Sequence, residues 1–79
     1  MMNELIRNIG MIRTTELGTG RIRKNLDLQT DDIIDWCKAE IGRADRIERR
    51  GKNWYVYTGK EVFTINAHSY TIITAKRTD

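Results

Sequence analysis

The stretch GKNWYVYTGKEVFTINA, residues 51–67, decides the fold. Two runs rich in aromatic and β-branched residues, Trp54 to Thr58 and Glu61 to Ala67, flank the short Gly59-Lys60 connection. Such runs with a tight turn between them read as an antiparallel hairpin, because a two-residue link leaves the chain no room for a crossover. Gly51-Lys52-Asn53 is a second turn signal, so a strand at Asp45 to Arg50 is expected upstream. His68-Ser69 is a third, with a last strand from Tyr70 to Arg77. The segment Arg46 to Arg50 also fits a continuing helix, since its charges follow no period-2 pattern strongly enough to decide.

Alternation sorts the side chains. In the third strand Phe63, Ile65 and Ala67 share one face, while Val62, Thr64, Asn66 and, if the strand runs on, His68 share the other. In the second strand only one pair can face solvent, Trp54 with Val56 or Tyr55 with Tyr57. In the last strand Thr71, Ile73 and Ala75 alternate with Tyr70, Ile72 and Thr74, so both faces carry apolar surface.

Upstream of residue 42 the period is helical. Leu5, Ile6, Ile9 and Ile12 predict an amphipathic helix over the first dozen residues, loosening at Gly10. Thr14 or Thr15 before Glu16 is an N-cap signal for a second helix ending near Asn25, with Leu17, Ile22 and Leu26 as its buried stripe. Thr30 before Asp31 and Asp32 starts a third, over 31–41, burying Ile33, Ile34, Cys37 and Ile41 and closing on Gly42. The expected fold is therefore α+β: two or three N-terminal helices (1–42) packed on a three- to four-stranded antiparallel β-meander (45–77), in one domain of residues 1–79.

Composition limits function. With 39% hydrophobic and 32% charged residues, no proline and scattered glycines, the 79-residue chain has the material for one small core and none for a linker. No apolar run reaches the roughly 20 residues of a membrane span, and Glu4 and Arg7 interrupt what a signal peptide would keep apolar, so a cytoplasmic protein without membrane contact is expected. One cysteine and one histidine cannot build a thiolate–imidazole metal cage, and LGTGRIRKN lacks the lysine and hydroxyl residue of a phosphate loop. No metal and no cofactor are expected.

The net charge of +3 is unevenly spread. Asp27, Asp31, Asp32, Asp35 and Glu40 against Lys38 make an acidic block. Arg43, Arg46, Arg49, Arg50, Lys52 and Lys60 against Asp45 and Glu48 make a basic one. A charge-separated surface can steer a polyanion to one face or orient two copies against each other, so RNA, another protein or a homodimer are the candidate partners.

His68 is the candidate acid or base, because only histidine titrates near neutrality unperturbed, although a lone histidine at a strand end serves more often in a turn. Arg49, Arg50, Lys52, Asn53, Asn66, Ser69, Tyr70 and Lys76 are the candidate binding residues around it. Cys37, on an apolar helix stripe, reads as core rather than nucleophile. Basic residues interleaved with Trp54, Tyr55 and Tyr57 have the chemistry of a nucleic-acid surface. Three readings follow. The favoured one is a small non-enzymatic binding module, acting as a homo-oligomer, that uses the exposed sheet face and the basic hairpin 46–60. The alternatives are a metal-independent ribonuclease-like toxin of RelE or barnase type, or a small protein inhibitor or regulator.

TTELG from Thr14, WCK at Trp36, GKNWYV from Gly51 and TINAHSYTIITA from Thr64 to Ala75 resemble an uncharacterised family of small bacterial proteins, a domain of unknown function. The resemblance runs nearly end to end and implies no activity. Family members often follow TIITA with a histidine where this chain has Lys76, which weighs against a two-histidine catalytic scheme.

Overall fold

The computed structural model describes residues 3–78. Helices α1 (Glu4–Arg7), α2 (Glu16–Leu26) and α3 (Ile33–Ile41) precede strands β1 (Arg46–Arg50), β2 (Asn53–Tyr57), β3 (Glu61–Asn66) and β4 (Ile72–Arg77). The strands form one sheet in the order β1-β2-β3-β4, antiparallel throughout, and this is the expected α+β meander. Arg46 to Arg50 is strand, paired residue for residue with Asn53 to Tyr57.

The first helix is much shorter than its periodicity suggests. Asn3 caps it through a 2.7 Å bond from the Leu5 amide, but the Asn8 carboxamide donates to the Glu4 carbonyl, and a single 3-10 turn, Ile9–Met11, follows. Asparagine competes in this way for backbone groups and ends helices. Residues 1 and 2 of the expected helix lie outside the described residues.

In α2 the Thr15 hydroxyl accepts from the Gly18 amide, as the capping signal requires. Its buried stripe is Gly18, Ile22 and Leu26 rather than one beginning at Leu17, which is 76% exposed. The helix start is tight at Gly18: a methyl there would overlap the Thr14 hydroxyl, which itself bonds to the Ile72 carbonyl at 3.1 Å. In α3 the cap is Asp32, whose carboxylate accepts from the Asp35 amide, while Thr30 serves the Asp32 amide one step earlier. Ile33, Cys37 and Ile41 are buried; Ile34 is half-buried. Gly42 stays right-handed, so the close of α3 does not depend on glycine's freedom.

Leu5, Ile22, Leu26, Ile41, Val56, Phe63, Ile65 and Ile72 are the fully buried aliphatic and aromatic residues between helices and sheet. At roughly 1.5–3 kcal/mol each for burial, they are the main stabilising set of so small a domain. α2 packs along β4, where the Asn25 amide donates to the Ala75 carbonyl and the Arg77 guanidinium to the Leu26 carbonyl. Just before β4, Arg13 forms an isolated parallel bridge with Thr71: its amide donates to Tyr70 and its carbonyl accepts from Ile72. The bridge lies just ahead of β4, one edge strand of the sheet; β1 is the other.

The last strand corrects the simple alternation. It begins at Ile72, two residues later than expected, because Tyr70 takes a left-handed conformation (φ 60°) and turns inward against Trp54, ring centroids 5.3 Å apart. A bulge then follows: Ile65 pairs with Ile72 and Thr64 with Thr74, leaving Ile73 as the extra residue. Ile72 and Ala75 therefore both point into the core, and Ile73 faces outward.

Candidate nucleic-acid interface

Burial along β2 settles which aromatic pair is outside. Trp54 and Val56 are buried; Tyr55 and Tyr57 stand on the face away from the helices. Register extends that face into rows of residues that share a side. Arg46, Tyr57, Val62 and Lys76 form one row, Glu48, Tyr55, Thr64 and Thr74 a second, and Arg50, Asn53 and Asn66 a third. Three cations, Arg46, Arg50 and Lys76, thus share this open face with one acid, Glu48.

The cations are organised. The Arg46 guanidinium lies 4.4 Å from the Tyr57 ring centroid, and that of Arg50 lies 4.3 Å from the Tyr55 centroid. Glu48 stands between them, 3.4 Å from Arg46 Nε and 3.6 Å from Arg50 Nη2, and Arg50 Nη2 also donates to the Tyr57 hydroxyl at 2.9 Å. Alternating residues of a strand sit about 7 Å apart, so the result is two neighbouring arginine-on-tyrosine stacks held by one carboxylate. A guanidinium plane and an aromatic ring are both surfaces on which bases stack. On the other side of the hairpin the Arg49 guanidinium lies 5.5 Å from the Trp54 ring and donates to the Gly51 carbonyl.

His68 is not on the strand face. β3 ends at Asn66, whose side-chain oxygen accepts from the His68 amide (3.0 Å), the Ser69 amide (2.9 Å) and the Ser69 hydroxyl (3.1 Å). One asparagine thus shapes the β3–β4 turn and takes His68 out of the alternation. The Ala67 amide donates to the Lys52 carbonyl at 2.8 Å, tying this turn to the β1–β2 turn at the same end of the sheet. There Glu4, Arg49, Lys52, Asn66, Ala67 and His68 line an open cleft of about 630 Å³.

The candidate residues therefore divide. Arg49, Lys52, Asn66 and His68 share the cleft; Arg50, Asn53 and Lys76 belong to the open face. Ser69 bonds to Asn66 and Thr71, and Tyr70 is 8% exposed, so both shape the turn from within. Arg46 and Glu48 were missed as site residues, although period-2 spacing with Arg50 marks all three as one strand face once β1 is a strand. Glu4 had no signal at all, since only the tertiary fold brings it to His68. Cys37 is free and fully buried in the core, as its place on the apolar helix stripe predicts, and burial with the charges of Glu40 and Glu61 pushes its thiol up to about 12.

Among the described residues no cluster of histidine, cysteine and carboxylates could hold a metal, and no helix is long and apolar enough to cross a membrane. No curated protein sequence and no solved structure matches the chain. One family model does, over residues 6–76, which takes in α2, α3 and strands β1 to β3 whole and α1 and β4 in part. The expectation of a family without an established activity holds over most of the chain: it belongs to the family described as protein of unknown function (DUF3781).

Proposed function

We propose that the chain is a non-enzymatic module that binds single-stranded nucleic acid across the open face of its sheet. The observation that carries this reading is the pair of arginine-on-tyrosine stacks, Arg46 on Tyr57 and Arg50 on Tyr55, beside Lys76 and continuous with the cations of the adjoining turn. Stacking on such planes tolerates any base, and the surrounding cations neutralise phosphates, so binding is broad in sequence and sensitive to salt. The test is fluorescence anisotropy with labelled single-stranded RNA and DNA at rising salt. Binding with dissociation constants on the order of 10⁻⁴–10⁻⁶ M that weakens linearly in log–log form supports the reading. No binding at low salt contradicts it.

One observation supports a second reading, a metal-independent ribonuclease. Glu4 lines the same cleft as His68, a carboxylate beside an imidazole, and Arg49 and Lys52 on that lining are able to hold a phosphate. Cleavage of RNA in EDTA that is lost in His68→Ala supports it; RNA left intact by the wild-type protein removes it.

A further inference from the structure

The opposite end of the sheet carries a second cleft, of about 590 Å³, between the α2–α3 connection, α3, the β2–β3 turn and the end of β4. That volume lies within the roughly 300–1,000 Å³ of small-molecule sites. Its lining includes the half-buried Trp36, whose ring leans on Phe63 with centroids 6.5 Å apart, together with Glu40, Lys60, Glu61 and Arg77.

Glu61 is the unusual group. It is 7% exposed and is the one charged residue buried among those described. Its Oε1 accepts the Thr58 hydroxyl at 2.8 Å, a neutral partner. Both ion pairs among the described residues belong to Glu48, so no described cation lies within 4 Å of the Glu61 carboxylate. Arg77 is its register partner across the β3–β4 pair, yet that guanidinium is committed to the Leu26 carbonyl at 2.8 Å. A largely buried carboxylate with one neutral hydrogen bond gains from a cation brought to it across the cleft. A second carboxylate, Glu40, and an aromatic wall, Trp36, border the same space. Two acids and an indole on one lining are the chemistry that recognises an organic cation, and Lys60 on the same lining suits an anionic group on the same molecule.

We infer that this cleft binds a small molecule carrying an ammonium or guanidinium group together with a carboxylate, the chemistry of a free basic amino acid. Its cationic end sits against Glu61 and Glu40 with the carbon chain along Trp36, and its carboxylate faces Lys60. The site is separate from the open sheet face and independent of the nucleic-acid reading.

The test is calorimetric titration of the full chain with L-arginine and, separately, L-glutamate. Saturable binding of arginine but not glutamate is expected, weakened by about tenfold or more in Glu61→Gln and in Glu40→Gln. Glu40 is half-buried on α3 and outside the hairpin hydrogen bonds, so its variant keeps the test sound if Glu61→Gln disturbs the fold. Tyr55→Ala is expected to leave arginine binding unchanged. No heat with millimolar arginine, equal binding of glutamate, or undiminished affinity in folded Glu40→Gln overturns the inference.

Discussion

The Arg50 guanidinium lies over the Tyr55 ring, 4.3 Å from its centroid, on the side of the sheet that no helix covers. A cation–π contact on an exposed strand pair is worth about 0.5–1 kcal/mol, so the fold does not depend on it. Tyr55→Ala is therefore expected to keep the circular dichroism spectrum and to weaken single-stranded RNA binding by about 1–3 kcal/mol. Wild-type affinity in that variant counts against the stacking role.

Lys76 shares a row with Val62 and Tyr57, and its side chain makes no hydrogen bond among the described residues. Its replacement by alanine removes one phosphate contact, so the slope of log affinity against log salt is expected to fall by about 1. An unchanged slope places the nucleic acid elsewhere.

Phe63 sits fully buried in β3, between Val56 across one strand pair and Ala75 across the other. Phe63→Ala is expected to destabilise by about 3–5 kcal/mol, read from the urea midpoint at unchanged slope. A loss of under about 1 kcal/mol would show that the site collapses around the deletion.

Two glycines of α2 give opposite signs. At Gly18 a methyl group would overlap the Thr14 hydroxyl that bonds to Ile72, and Gly18→Ala is expected to cost about 1–3 kcal/mol. At Gly20 nothing lies within 4 Å, and Gly20→Ala is expected to stabilise by about 0.5–1 kcal/mol. Thermal unfolding of the two variants, shifting in the same direction, would contradict this packing of α2 on β4.

These positions also show what a sequence can convey. Helix α3 and the β2–β3 hairpin were legible because their signals are local: apolar spacing with an acidic first turn in one, aromatic runs around Gly59-Lys60 in the other. What stayed hidden was set by long-range partners. Leu17 looked as apolar as Ile22, but α2 turns Gly18, Ile22 and Leu26 inward and leaves Leu17 76% exposed. Tyr70 looked like a surface residue until its left-handed turn carried it onto Trp54. Of the eight binding residues expected around His68, Arg49, Lys52 and Asn66 share its cleft, where the β1–β2 and β3–β4 turns meet, while Arg50, Asn53 and Lys76 lie on the open face. Glu4 and the second cleft depend on chain segments too far apart for any local pattern.

Cys37 yields a pH dependence. Its thiol is raised from 9.0 to about 12 in the fold, chiefly by burial, with Glu40 and Glu61 adding to the effect. A group raised on folding contributes fully below its unfolded value and loses that contribution as pH climbs toward the folded one. The stability advantage of wild type over Cys37→Ala is therefore expected to be constant up to about pH 9 and to shrink between there and about 12, measured by urea unfolding at each pH. A constant difference over that range would show a thiol that ionises as freely in the fold as out of it.

Chemical-shift mapping of the nitrogen-labelled protein, titrated with single-stranded RNA at low salt, tests the proposed function most directly. The expected perturbations concentrate on the outward rows, at Arg46, Glu48, Arg50, Tyr55, Tyr57, Thr64 and Lys76, and extend to Lys52 and His68. Perturbations confined to α2 and α3, or none at saturating RNA, would contradict it.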